Sequence, residues 1–127
     1  LGLDAAIERG KLYLANGAEA LFVEAPQNEW ELEELRKQFP DTILLANMIE
    51  GGKTPYLNAK DLENLGYDVV FYPCTSVYTV TKAFRDVLRT LRDEGSTANC
   101  RDKMLDFNQF NNFIGLNDYN ELDKKYK

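Results

Sequence analysis

Apolar residues recur along this chain in two alternating periods. A spacing of three and four places Leu3, Ile7, Gly10 and Leu14 on one helical face, with Asp4 as the expected N-cap and Asn16-Gly17 as the stop. A continuous apolar run over 20–25, closed by Pro26, predicts a short buried strand. Helical spacing returns at Trp30, Leu32, Leu35 and Phe39 and ends at Pro40. Residues 43–47 are again apolar up to a polar last position, as in a parallel strand covered by helices on at least one face. A long glycine-rich loop over 48–57 leads to a short helix over 59–65. Asn58, with Asp61 three residues on, opens that helix like a capping box with Asp in place of Glu or Gln, and Gly66 closes it. Residues 67–72 predict a third strand. Ser76 is the expected cap of a long helix with Val77, Val80, Phe84, Val87, Leu88 and Leu91 on one stripe, ended by Gly95. From Arg101 onward the pattern is helical and apolar, with Met104, Phe107, Phe110, Phe113, Ile114 and Leu116 ahead of a charged end at 123–127.

Three strand ends thus recur at a step of roughly 25 residues, about one compact βα unit each. Right-handed crossovers make the sheet parallel and the fold class α/β. The expected division is 1–95 for the three units and 96–127 for a helical tail. A parallel sheet of three strands leaves both edges and much of one face uncovered, so missing sequence or another chain is expected to complete it.

Composition narrows the class. The 127 residues are 44% hydrophobic and 12% aromatic, enough for a core, and disorder is expected only at the tail. The formal charge is −6, with basic residues scattered among acidic ones, so nucleic acid is not an expected partner. No run approaches the roughly 18 apolar residues of a membrane span, and no basic segment leads into an apolar one at the start. The expectation is a soluble, cytoplasmic protein without a membrane partner. Cys74 and Cys100 lie far apart and outside metal-ligand spacing, so both are expected as free thiols, with no zinc site. Histidine is absent, which leaves acid/base work to carboxylates, tyrosines or cysteines. Because the chain opens on Leu1 directly before a helix, it reads as a fragment or processed product.

Each apolar run ends on a residue with chemical capacity. Glu24 stands where a carboxylate could orient a substrate, move a proton or hold a cation through water; a helix cap or plain surface residue is the simpler alternative. Asn47 ends a half-buried run, where its amide needs partners that a ligand carboxylate or a neighbouring loop backbone would supply. The stretch Glu50-Gly51-Gly52-Lys53-Thr54-Pro55 permits close backbone approach to an anionic group, or a turn from strand to helix, but lacks the spacing of a phosphate-binding P-loop. Pro73, Cys74 and Thr75 end the third run. Cys74, with no histidine to activate it, reads as an inert thiol. Phe107, Phe110 and Phe113 form an apolar helical face suited to docking on a neighbouring subunit.

Taken together, GLDAAIERGKLYLANGAEALFVEAP, LLANMIEGGKTPYL, GYDVVFYPCTSVYTV and FNQFNNFIGLNDYNELDKKY resemble the isocitrate lyase and phosphoenolpyruvate mutase superfamily over essentially the whole chain. The VEAP and ANMIEGGKTP segments look most like the branch of methylisocitrate lyase, dimethylmalate lyase, oxaloacetate-acting enzymes and carboxyphosphonoenolpyruvate mutase. The resemblance implies the last three βα units plus extra helices of a (β/α)8 TIM barrel, in a homo-oligomer, usually a tetramer, whose C-terminal helices are exchanged between subunits. It implies Mg²⁺, with ligands in the missing N-terminal part and none in this stretch, and a small di- or tricarboxylate as substrate. Carried over by motif position, Glu24 is the catalytic glutamate, Asn47 the asparagine that contacts substrate carboxylate, and Thr75 with Pro73 the substrate-binding segment after the last strand. A glutamate in VEA favours the lyase side over the phosphonate-forming mutase. Ile49 and Gly51 stand where isocitrate lyase places serines, which argues against isocitrate.

The resulting expectation is the C-terminal portion of a Mg²⁺-dependent carbon–carbon lyase, inactive as this polypeptide alone. The rivals are a phosphoenolpyruvate-type mutase and a truncated, non-catalytic remnant that folds only with a partner.

Overall fold

The computed structural model describes residues 2–126; Leu1 and Lys127, the outer ends of the two expected segments, lie outside the described residues. The chain forms two compact units, one ending at Tyr78 and the other beginning at Thr79.

The first unit runs α1 (Gly2–Ala15), β1 (Ala20–Phe22), α2 (Glu29–Gln38), β2 (Ile43–Asn47), α3 (Ala59–Asn64), β3 (Val69–Phe71) and the start of α4 (Thr75–Glu94). Its sheet is parallel with order β1-β2-β3, the fold class that the apolar runs predict. Leu21 pairs with Leu44 and Leu45 with Val69, and the Met48 N–H continues the ladder to the Phe71 carbonyl at 2.9 Å. Alternation along the strands sends Leu21, Leu44 and Ala46 into a core with Ile7, Leu32, Leu35, Phe39, Met48 and Leu62. Phe22, Ile43, Val69 and Phe71 are exposed, with Phe22 and Phe71 meeting edge to face at 6.0 Å. One sheet face is therefore packed by helices, and the other presents apolar side chains.

Local chemistry sets the element ends. Asn28 caps α2 by accepting from the Glu31 N–H at 2.9 Å, while a Glu31 carboxylate oxygen accepts from the Gln27 N–H at 2.6 Å. At α3, Asn58 accepts from the Asp61 N–H at 2.9 Å as expected, but Asp61 accepts from the Asn58 side-chain amide at 2.7 Å rather than from its backbone. Aspartate is one methylene shorter than the Glu of a full capping box, and the nearer amide meets it instead. Two expected caps move. Helix α1 already begins at Gly2, leaving Asp4 inside its first turn, where a negative charge suits the helix dipole. Helix α4 begins at Thr75, so Ser76 lies within it. Strands β1 and β3 pair over three residues each, shorter than the apolar runs, and the remainder continues as the loops that carry the candidate residues. Gly10 is buried in α1, and the close approach of Phe39 requires glycine there, since a Cβ would lie 2.7 Å from Phe39 Cζ.

Arg36 binds the strand entrances together. Its guanidinium donates to the carbonyls of Phe39, Pro40 and Thr42 at 3.0 to 3.1 Å and to Asp68 at 2.8 Å, and Asp68 also accepts from the Leu44 N–H at 2.9 Å. The Leu44 N–H above all holds the Asp68 carboxyl below its ordinary 3.8; desolvation opposes it, and the Arg36 hydrogen bond and charge add to the lowering. A depressed carboxyl stabilises the fold above its unfolded pKa, and that contribution is lost as pH falls through the lower folded value. Urea midpoints at pH 7 and pH 3 should therefore fall more for the wild type than for Asp68→Asn; equal falls would remove Asp68 from the acid response.

The second unit contains the rest of α4, a 3₁₀ segment Ala98–Lys103, α5 (Phe107–Phe113) and α6 (Leu116–Tyr126). Asp106 and Gln109 form a reciprocal capping box at α5, and Gly115, at φ 71°, breaks α5 from α6. Cys100 is buried and its thiol donates to the Thr97 carbonyl at 3.4 Å. The α4 stripe Val80, Phe84, Leu88 and Leu91 is exposed, as are Phe107, Phe110 and Phe113.

Candidate active site at the strand ends

Glu24 lies two residues beyond β1, where the chain leaves the sheet. The next residue, Ala25, is the single non-glycine among the described residues with a positive φ, at 53°. A side chain held there costs of order 1 kcal/mol, a strain commonly kept where a backbone must aim a neighbour. Pro26 then fixes the turn, and Asn28 caps the following helix, so Glu24 serves as no cap. The Glu24 carboxylate is exposed and makes no hydrogen bond or ion pair among the described residues.

Parallel pairing brings the end of β2 beside the end of β1, and with it Asn47 to the same cavity. A cavity of about 310 Å³ is lined by Glu24, Ala25, Asn47, Ile49, Gly52, Lys53 and Thr54. Asn47 is half-buried, and its amide oxygen is buried without a partner. An unpaired buried acceptor costs about 1–3 kcal/mol, a cost retained most often at sites that bind or react. The amide nitrogen of Asn47 is a donor and its oxygen an acceptor, so this side chain can serve a ligand in the cavity in either sense. Lys53 adds a positive charge to the same wall.

Pro73 and Thr75 do not line this cavity. Pro73 is exposed between β3 and α4, and the Thr75 hydroxyl donates to Glu50, next to the lining residue Ile49. Glu50 Oε2 is buried with no partner. The Tyr56 ring packs on Tyr72 at 5.9 Å, a second contact between the loop after β2 and the end of β3. Partial desolvation and then the Glu50 charge raise the Tyr56 phenol, whereas Tyr78 is raised first by its contact with Cys74 and last by Glu50. Tyr67 has a different origin: burial pushes it up to about 12, and its hydroxyl donates to the Leu32 carbonyl at 3.3 Å, a structural role.

Sequence reasoning singled out the EGGKTP stretch but assigned no role to Glu50 or Lys53 individually. The available signal was an acid and a base flanking paired glycines directly after a strand end. Among the described residues no group of three or more His, Cys, Asp or Glu side chains is placed to hold a metal ion. No helix among them is long and apolar enough to cross a membrane.

No protein-family model matches the chain. It is 40% identical to 2,3-dimethylmalate lyase of Eubacterium barkeri over 98% of its own length and 43% of that relative. It is 41% identical to the chloroplastic carboxyvinyl-carboxyphosphonate phosphorylmutase of Arabidopsis thaliana over 98% of its own length and 37% of that protein. A solved structure of 2,3-dimethylmalate lyase, a PEP mutase/isocitrate lyase superfamily member, matches with a TM-score of 0.87 at 20% identity, over 98% of this chain and 43% of that one. Oxaloacetate acetylhydrolase in complex with its product oxalate matches at 0.87 and 23% identity, over 99% and 43%. The chain thus spans about two fifths of the relatives it matches.

Proposed function

We infer, from the premise that this chain is a homologue of lyases and mutases of the PEP mutase/isocitrate lyase superfamily, that it is the C-terminal portion of a carbon–carbon lyase acting on a small 2-hydroxy or 2-keto di- or tricarboxylate. The observation that carries this reading is the cavity shared by Glu24 and Asn47 at the carboxyl ends of adjacent parallel strands. In (β/α)8 enzymes that rim is where catalytic residues gather, and these strands would be the last three of such a barrel. A full barrel needs about 250 residues, so the polypeptide alone would be inactive.

Cleavage of a 2-hydroxy acid in this manner removes the hydroxyl proton, breaks the adjacent carbon–carbon bond and leaves its electron pair as an enolate. Glu24, unpaired at the cavity wall, manages a proton or orients the reacting group. Asn47 donates its amide protons to a substrate carboxylate, and the Lys53 charge favours an anionic ligand. Thr75 and Pro73, which lie outside this cavity at the end of the third strand, would meet the substrate from there. Dependence on Mg²⁺ belongs to the same reading, with the ligands outside this stretch. So do a cytoplasmic setting and a homotetramer with exchanged C-terminal helices, which the exposed phenylalanines of α5 support.

The test is an assay of the complete enzyme with Mg²⁺ and 2-methylisocitrate, 2,3-dimethylmalate and oxaloacetate. Asn47→Ala should raise KM by about tenfold or more with a smaller change in kcat, because a carboxylate contact acts in ground and transition states alike. No turnover of any of the three substrates would sink the lyase reading. Phosphonate-forming activity instead would favour the mutase, a reading for which the similarity to the Arabidopsis thaliana relative speaks.

A further inference from the structure

Three residues, Ala25, Asn47 and Thr54, line both the 310 Å³ cavity and a second one of about 10 Å³. Leu32 and Tyr67 also line the smaller cavity. A water molecule needs roughly 10–15 Å³ and two to four polar partners, so this space suits one water if its lining can bond to it. Asn47 Oδ1 is buried and accepts from no protein group. The Thr54 hydroxyl is half-buried and makes no hydrogen bond among the described residues, so its proton is uncommitted. Tyr67 gives its only hydroxyl proton to the Leu32 carbonyl at 3.3 Å, and burial raises its phenol to about 12, so toward a third group it can only accept.

We propose that one water molecule is bound in the smaller cavity, accepting from the Thr54 hydroxyl and donating to Asn47 Oδ1, and that Thr54 is thereby a positioning residue for the Asn47 amide. The count of protons sets the sense of the contact. The water takes the Thr54 proton on a lone pair and gives one of its own two protons to the Tyr67 and Leu32 oxygens. Its other proton then needs an acceptor, which Asn47 supplies only with its oxygen; a flipped amide would leave that proton unpaired. Such a bridge is nearly as good as a direct hydrogen bond. The amide nitrogen is then the end of Asn47 left for the larger cavity. The inference rests on the lyase reading, which puts the substrate there, and deepens it by fixing Asn47 as a donor to a substrate oxygen.

A crystal structure of the complete enzyme with its ordered waters resolved is the direct test. A water within about 3.2 Å of both Asn47 Oδ1 and Thr54 Oγ1 is expected. The same place should be dry in Thr54→Val, which keeps the shape and loses the hydroxyl. Steady-state kinetics of that variant should show KM raised by roughly threefold to tenfold with kcat nearly unchanged, because an amide free to turn offers the substrate its wrong end part of the time. Thr54→Ser should restore both the water and the KM, which a packing defect would not allow. No water at this place in the wild type, or a water that persists in Thr54→Val, overturns the inference. So does a wild-type KM in Thr54→Val when Asn47→Ala raises KM, a result that leaves the lyase reading standing. A wild type that turns over none of the substrates overturns the lyase reading alone, and the two structures still decide the water.

Discussion

Glu24→Gln is expected to lower turnover of the complete enzyme by about 10²- to 10⁴-fold while leaving its thermal midpoint unchanged. The two side chains have nearly the same shape, but the amide can neither take up a proton nor carry the negative charge. The structure explains why stability should be indifferent. Glu24 is exposed, forms no hydrogen bond or ion pair among the described residues, and is relieved of any capping duty by Asn28. Its one distinctive property is its place: it faces the cavity that Asn47 and Lys53 also line, directly before the strained Ala25. Steady-state kinetics and a melting curve on the same preparation test the two halves together. Wild-type turnover would end the catalytic role, and a matched fall in activity and melting temperature would assign Glu24 to the scaffold.

The largest effect on stability is expected from Leu44→Ala, at about 2–5 kcal/mol. Leu44 is 1% exposed and sits in the central strand, its side chain in the core with Leu21, Leu32 and Leu35. Its backbone is pinned to Asp68 by both of its polar groups, donating to the Asp68 carboxylate at 2.9 Å and accepting from the Asp68 N–H at 3.0 Å. A strand held in that way cannot move in to fill the space left by three lost carbons, so the cavity persists and the cost lies toward the upper part of the range. Urea denaturation of wild type and variant measures it. A loss below about 1 kcal/mol, the size of an ordinary surface change, would mean that this face of β2 is not a close-packed interior.

The candidate site was partly legible in the chain. Glu24 and Asn47 stood out because each is polar at the end of an apolar run, and parallel βα topology carries such ends to one rim. Glu50 did not stand out, because its meaning lies in a contact with Thr75, 25 positions away, that no local pattern encodes. The position of Thr75 was legible, but the direction of its hydrogen bond was not. Lys53 read as one residue of a turn until the loop folded it onto the cavity wall.

Hydrophobic periodicity by itself determined the order of helices and strands, the parallel sheet and the inward-facing core, since the periods of 3.6 and 2 and the handedness of crossovers are properties of any L-polypeptide. Cap positions shifted by a few residues and paired strands shortened, because element ends depend on which neighbours compete for the last backbone groups. Only the tertiary structure decided that Glu24 and Asn47 share a cavity that Thr75 does not line, that Thr75 meets Glu50 instead, that the Asn47 amide oxygen is buried without a partner, and that Arg36 gathers three carbonyls and Asp68. Those facts depend on side-chain directions across strand registers. A register slip of one residue would send Asn47 to the other face and part Arg36 from Asp68 while leaving the sequence pattern untouched.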